Sequence, residues 1–489
     1  MISSSFKIQK TTLLYLILVV LLAGLAGLVQ AKLEWVGTGL IGALLTVLIL
    51  APAIVKNPLN GLILMGFFLP FEYTPSLTIA NITFKINHLV AGLTLLSWLI
   101  RFVQGQIKIS LKFNPAVFLV TVFFITQVLS LSQAIHSQRA WQVLIFLAFT
   151  LLIFLLFSSL VHSKEDLTKI LQAVIWGALV TAGFAIFQFF GDLLGLPLTI
   201  TRLKPGYDKT TFGFPRVQSL LSEPLYFANY LFLPLFLLTC WWLAETGKNI
   251  LKPVYQLLTV ALLFILLILT VSRGAYLGLV AGLILLWVIN LPLFLKLRNL
   301  VVVLLTGLFI ASGVLGALYF SESRALEEFI AHATVQDFQK GESVPARLKA
   351  MQEAYQGWQE SPLLGIGLGN YGPYAMGYPE EPPSTGWVIV NNQYLETLCE
   401  TGILGLTGLI LFLLVLLWRN FLAFWRCQDR FLQATTLALL VATVAVFVQY
   451  NTFSTIYILP IWFLLGLNNT ATTLALEKTS IKPLKSRAN

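Results

Sequence analysis

Val254-Tyr-Gln-Leu-Leu-Thr-Val-Ala-Leu-Leu-Phe-Ile-Leu-Leu-Ile-Leu-Thr-Val271 runs without a single charge, meets Ser272-Arg273-Gly274-Ala275, and gives way at once to a second apolar run. Crossing a hydrocarbon core takes roughly 20 mostly apolar residues in a helix. Lipid offers no partner for a free backbone amide, so such a run must be helical. Runs of the same kind recur at Thr12–Val29, Leu225–Leu243 and Gly402–Trp418. Of the 489 residues, 57% are hydrophobic and 11% are charged, against about 25% charged in a soluble domain. Hydropathy places about fourteen spans, centred on residues 12–30, 36–54, 59–71, 88–103, 115–131, 141–160, 170–190, 225–243, 254–271, 275–290, 300–319, 402–418, 431–448 and 456–467. The third and the last are short, and each also fits a re-entrant segment. The fold class predicted is all-α: a polytopic integral membrane protein of about 12–14 transmembrane helices.

The net charge of +10 does not imply a nucleic-acid partner. Basic residues punctuate the spaces between apolar runs and form no continuous patch, as topology signals do. With the N-terminus in the cytoplasm and the spans alternating, Lys7, Lys10, Lys56, Arg101, Lys164, Lys252, Arg298, Arg419, Arg426, Arg430 and Lys482 fall inside. The short outer loops hold few: Lys32, Lys85 and Arg139. Both termini are therefore expected in the cytoplasm of a cytoplasmic-membrane protein. Val29-Gln30-Ala31 mimics a signal-peptidase site, but the preceding run is long and a second span follows, which fits an uncleaved signal anchor. Cys240, Cys399 and Cys427 suggest no disulfide framework or paired-cysteine metal site, and His88, His136, His162 and His332 lack metal-ligand spacing.

Three divisions follow: residues 1–224, transmembrane helices with an outer loop at 191–224; residues 225–470, a transmembrane domain with an extracytoplasmic loop at 321–391; and a basic cytoplasmic tail at 471–489. Connections as long as these two loops are usually functional. The second is long enough for a small helical subdomain at the outer membrane surface.

Several motifs on the expected outer side could carry chemistry. Arg273 starts a span, where an arginine either meets a pyrophosphate through its planar fork or snorkels to mark the interface. Arg347 lies near the start of a helix running from Pro345 to Pro362, where free amides favour an anion; a solvated surface role also fits. The periodicity there puts Leu348, Met351, Tyr355 and Trp358 on one apolar face. Pro362-Leu-Leu-Gly365-Ile-Gly367-Leu-Gly369-Asn370-Tyr371 lacks the strand and helix of a dinucleotide loop and reads as a tight turn docking the subdomain. Asn391-Asn392-Gln-Tyr-Leu-Glu396-Thr-Leu-Cys-Glu400-Thr-Gly402-Ile-Leu-Gly405 leads into a span, with Asn392, Glu396 and Glu400 on one helix face. Carboxylates there need water, a cation or an arginine. Phe214-Pro-Arg216 and Glu223-Pro224 flank the start of the eighth span. Glu223 suits a general base or arginine partner, or an acid favoured by the helix dipole.

Three of these motifs, in this order, resemble the O-antigen ligase and polymerase superfamily: the Ser272-Arg273-Gly274-Ala275 span start, the outer loop from Arg347 through Trp358 to Tyr371, and the Asn392-to-Gly405 helix. The similarity covers about Ile265–Leu417. It implies a helical membrane fold of the GT-C kind and a polyprenyl-pyrophosphate-linked glycan as donor. The acceptor would be a saccharide or glycolipid at the outer leaflet, and neither metal nor nucleotide would be required. Arg273 and Arg347, with Arg216 and Asn392, would bind substrate. Family ligases carry a histidine where this chain has Asn391. Asparagine accepts no proton at neutral pH, so Asn391 would orient an acceptor and not deprotonate it. Glu223, Glu396, Glu400 and His332 are the candidate bases, with Glu223 favoured. This departure also favours polymerase or other polysaccharide transfer over ligase specificity. The competing classes are a transporter, including the inorganic-carbon transport proposed for some proteins with this domain, and a non-catalytic envelope assembly protein. No convincing internal repeat and few charges deep in spans argue against transport.

Overall fold

The computed structural model describes residues 49–72, 76–79, 82–107, 113–246, 250–289, 343–379, 383 and 386–480. The spans expected at 12–30 and 300–319, most of that at 36–54, His332 and the last residues of the tail lie outside them. Among the described residues, eight helices are long and apolar enough to cross a membrane. They are α2 (Ile86–Val103), α3 (Pro115–Ser130, continued to Gln133 by a 3-10 turn), α4 (Ser137–Leu160), α5 (Lys164–Leu193), α6 (Pro224–Leu243), α10 (Gln393–Arg426), α11 (Arg430–Gln449) and α12 (Leu459–Ser480). Shorter apolar helices are α1 (Leu59–Phe68), α7 (Pro253–Leu269) and α8 (Arg273–Ile289), and α9 (Ser343–Glu360) is a polar helix of the large loop. The chain is a helical polytopic membrane protein.

At α1 the structure shortens the expected span to ten residues, or about 15 Å, too short to cross. The last span is longer than expected, continuing to Ser480. Hydropathy misses this extension because its polar residues face other helices. Asn468 accepts from Asn420 Nδ2 and donates to Thr443 Oγ1 at 2.9 Å, while Asn469 Nδ2 donates to Ser158 Oγ at 3.3 Å. Interhelical bonds of this kind contribute about 0.6 kcal/mol each. One element was not anticipated, an antiparallel hairpin of β1 (Ser76–Ile79) and β2 (Ile82–Lys85), with Ser76 opposite Lys85 and Ile79 opposite Ile82.

The packing centres on α11, which contacts α6, α8, α10 and α12. Its contact with α8 is close because Gly274, Gly278 and Gly282 recur every fourth residue. A Cβ at Gly278 would lie 2.5 Å from the Ala445 carbonyl oxygen. Small residues at this spacing let helix backbones approach where lipid provides no hydrophobic drive. Buried Tyr450, Trp462 and Phe412 fill the surrounding core.

Helices alternate in direction, so the connections sort to two ends. Residues 69–85, 131–136, 194–223, 270–272, 361–392 and 450–458 gather at one end, and 104–114, 161–163, 244–252 and 427–429 at the other. The first end carries every site motif that lies among the described residues. The second carries Arg101, Lys164, Lys252, Arg426 and Arg430.

Candidate functional site

The turn between α7 and α8 spans only Thr270–Ser272 and is held from outside. Arg216 Nε donates to the Thr270 carbonyl at 3.2 Å and Nη2 to the Val271 carbonyl at 3.0 Å. Val217 N donates to the Leu269 carbonyl at 3.2 Å, and the Tyr276 hydroxyl to that of Ile268 at 2.6 Å. Val271 has φ 48°, a left-handed backbone that a β-branched residue rarely adopts. The clamp sustains that strain, and the turn places Arg273 on the first turn of α8.

The clamping segment is itself fixed to the bundle. Gln188 of α5 donates to the Thr201 and Ser219 carbonyls at 3.0 and 3.2 Å and accepts from Ser219 N at 2.7 Å. Lys209 N donates to Asp192 Oδ2 at 2.8 Å. The expected outer loop is thus a packed cap, with Leu203, Phe214, Val217 and Leu221 buried.

Three arginines converge at this end. Burial pushes the Arg216 guanidinium below its usual range; Tyr207, Tyr276 and Glu223 oppose that shift, and the charge of Arg273 adds to it. The Arg216 guanidinium also stacks over the Tyr207 ring at 5.3 Å. Arg347 keeps solvent access, yet the protein around it dehydrates its guanidinium, and Arg273 disfavours its charge further. Arg273 is therefore the middle member of the group. Glu223 belongs to the same cluster, since it acts on both Arg216 and Tyr207.

Helix α9 carries Arg347 and packs on α10. The face it buries is not the one its periodicity predicts. Ala354 and Gly357 are buried, whereas Leu348 is 57% and Tyr355 48% exposed. The approach of α9 to Cys399 of α10 explains this, because a Cβ on Gly357 would already be 2.9 Å from the Cys399 sulfur. Only the small-residue face fits.

The glycine-rich stretch after α9 docks on α10 through backbone bonds. Ile366 N and Gly367 N donate to the Cys399 and Glu400 carbonyls at 2.9 and 3.0 Å, and Ile403 N to the Pro362 carbonyl at 2.9 Å. Gly402, at φ 64° and ψ −168°, breaks α10 there, a conformation that essentially only glycine adopts. Hydropathy starts its span at Gly402 for the same reason, since the residues before the break form a separate docking segment.

Glu396 and Glu400 lie on that segment, and both are buried. Glu396 accepts from Val390 N at 3.0 Å. Glu400 accepts from Tyr371 N at 3.2 Å and the Tyr457 hydroxyl at 2.7 Å. They line a cavity of 320 Å³ with Arg139, Gln142, Trp387 and Tyr457. Arg139 acts electrostatically on both carboxylates. Asn392 is expected to bind substrate, but its side-chain oxygen caps α10, accepting from Tyr394 N and Leu395 N at 3.1 Å each. Asn391 sits just before with φ 58°. Its Nδ2 reaches the Ile389 carbonyl at a marginal 3.5 Å.

Sequence reasoning missed Glu72, Arg139 and Tyr207. Glu72 is buried beside Lys85 at 3.7 Å, and its burial pushes its carboxyl up. A lone acid directly after an apolar run was the available signal. Arg139 was visible as one of the few basic residues in outer loops. Nothing marked Tyr207. Among the described residues, no group of three or more His, Cys, Asp or Glu is arranged to hold a metal ion.

The fold and this end of it define a helical membrane protein with an arginine cluster beside a carboxylate-lined cavity. Residues 258–410, a little under a third of the chain, match the family described as O-antigen ligase. The match begins in α7, ends in α10 and takes in Arg273, Arg347, Asn391, Glu396 and Glu400. Arg216 and Glu223 precede it. No curated protein matches the chain.

Proposed function

We propose that the protein transfers a glycan from a polyprenyl pyrophosphate to a saccharide hydroxyl at the outer face of the cytoplasmic membrane. The observation that carries this reading is the convergence of Arg216, Arg273 and Arg347 at the end of the bundle that carries the site motifs. The scarcity of lysine and arginine in the short connections at this end supports an outward-facing site under the positive-inside rule. Arg273 and Arg347 engage the donor pyrophosphate and stabilise the negative charge that develops on it as the leaving group. The acceptor oxygen forms a bond to the anomeric carbon as the bond to the pyrophosphate oxygen breaks, with inversion. Glu223 takes the hydroxyl proton. It is favoured over Glu396 and Glu400 because it shares the arginine cluster, whereas they accept from the backbone and from Tyr457.

The 320 Å³ cavity receives the acceptor saccharide, with Trp387 as an apolar platform and Arg139, Gln142 and Glu396 as polar contacts. Tyr226 lies between the two regions, within the electrostatic reach of both Glu223 and Glu396. The departure at Asn391 favours polymerisation over ligation to a core glycolipid. The test is turnover of a polyprenyl-pyrophosphate-linked glycan by the purified chain. Arg273→Gln and Arg347→Gln should each reduce kcat about 10²–10³-fold, the range found on removing one oxyanion donor. Glu223→Gln should reduce kcat about 10²–10⁴-fold, the range for losing a general base. Normal polymer formation by the Arg273→Gln, Arg347→Gln double variant would refute the reading.

A further inference from the structure

A second cavity, of 820 Å³, opens at the opposite end of the bundle between α2, α3, α4 and α12. Leu95, Val117, Leu152, Leu155 and Leu474 give it apolar walls, and its polar head is built around Arg419 of α10. Arg419 Nη1 donates to Asn114 Oδ1 and, at 2.8 Å, to Asn469 Oδ1; Nη2 donates to Thr473 Oγ1 at 3.2 Å. These partners are all neutral, and among the described residues no carboxylate forms an ion pair with Arg419. Three of its five N–H donors are used in these bonds. Glu477 lies exposed on the rim and His162 lines the wall.

Two further polar groups of the cavity are buried without a protein partner: Thr470 Oγ1, on a residue 4% exposed, and Trp98 Nε1. Depth is the other clue. Along α10, Arg419 lies about 26 Å beyond the Gly402 break at 1.5 Å per residue. A hydrocarbon core is about 30 Å thick, so Arg419 reaches the level of the far headgroups.

We propose that this cavity binds one anionic phospholipid. Its phosphate meets the Arg419 fork and the Thr470 hydroxyl, and an acyl chain lies along Leu95, Leu152 and Leu155. Arginine's planar donors suit a phosphate, and basic pockets between transmembrane helices hold such headgroups elsewhere. A free phosphate would leave the apolar length of the cavity empty, which favours the lipid.

The test uses the full chain, purified and delipidated in a neutral detergent. Phosphatidylglycerol, phosphatidylcholine and inorganic phosphate are added separately, and lipid retention is read by native mass spectrometry beside the thermal midpoint. One phosphatidylglycerol should be retained at least tenfold more tightly than phosphatidylcholine and should raise the midpoint, while inorganic phosphate should do neither. Arg419→Gln should lose that preference. Because Arg419 also ties α10 to α3 and α12, Leu155→Trp provides a second arm: it fills the apolar wall and leaves the polar network intact. It should lose retention with the lipid-free midpoint unchanged. Equal retention of both lipids, a response to phosphate alone, or wild-type retention by both variants would overturn the proposal.

Discussion

The Arg216 clamp allows a test whose sign runs against intuition. Arg216→Lys keeps the charge but replaces a two-pronged donor with a single ammonium. One of the carbonyls at Thr270 and Val271, now bonded at 3.2 and 3.0 Å, loses its partner, at about 1.5–3 kcal/mol for a bond to a charged group. Val271 at φ 48° stores about 1–3 kcal/mol of backbone strain. Once the clamp weakens, the turn relaxes and returns part of that energy, so the net loss in the wild-type background is small, roughly 0–2 kcal/mol. In a Val271→Gly background there is no strain to return, and Arg216→Lys should show its full cost. The variant should therefore be more damaging in the glycine background, by about 1–2 kcal/mol. The lost burial of the Val271 side chain is common to both arms of the glycine pair and cancels. The assay is denaturant unfolding in micelles across the four-member cycle. Transfer activity should move the other way, because glycine holds the turn that positions Arg273 without the clamp. Costs agreeing within about 0.5 kcal/mol, or a larger cost in the wild-type background, would refute the strained-turn account.

Other consequences follow from single positions. Gly402→Ala places a Cβ against the Leu363 carbonyl at φ 64° and should destabilise by about 2–3 kcal/mol, whereas Gly92→Ala, on a helix with open space around it, should be neutral or stabilise by up to about 1 kcal/mol; thermal midpoints compare the two. Asn392→Ala should lose about 0.5–2 kcal/mol of cap energy and Asn392→Ser most of that less; if Ser proves as damaging as Ala while stability holds, Asn392 acts on substrate. For Glu72, burial raises the folded carboxyl above its unfolded value. Its protonated form therefore favours the fold below the unfolded pKa of about 4.3, and stability falls as pH rises toward the folded pKa. The slope is at most about 1.4 kcal/mol per pH unit, and Glu72→Gln should flatten it in a series of unfolding measurements above pH 4.5.

Much of the bundle was legible because lipid makes two demands at once, apolar faces outward and every amide bonded within its helix. That logic located α2 to α8 and α11 to within a few residues. It failed where polar side chains turn inward. The Asn468-Asn469-Thr470 stretch lies beyond the span that hydropathy ends at 467, yet it extends α12 because Asn420, Ser158 and Thr443 receive it. It failed again on α9, where size and not apolarity selects the buried face, and at α1, whose composition suits a span but whose length does not. The candidate site was legible as residue types. Arg216, Glu223, Arg273 and Arg347 were each visible, but their grouping depends on the loop from Leu194 to Glu223 folding back onto α5 through Gln188, which no periodicity encodes.

The geometry also sorts residues that the sequence treats alike. Three arginines held together repel, and the protein offsets this unevenly. Arg216 spends its fork on two backbone carbonyls and its face on Tyr207, so its role is to position the turn that carries Arg273. Arg273 acts on both of the others, and Arg347 approaches it from a helix of the large loop. Under the proposed function, an arriving pyrophosphate would offset the repulsion between these two. Glu396 and Glu400 separate in the same way from Glu223. The first two fasten the loop to α10 and wall a cavity, while the third sits among the arginines where a proton acceptor is useful. Where the resemblance implies a histidine this chain has Asn391, and the residue is held in a left-handed turn that asparagine tolerates. Under the proposed function the proton acceptor is then a carboxylate outside the matched segment, which is why changing Glu223 tests that proposal more directly than restoring a histidine at Asn391.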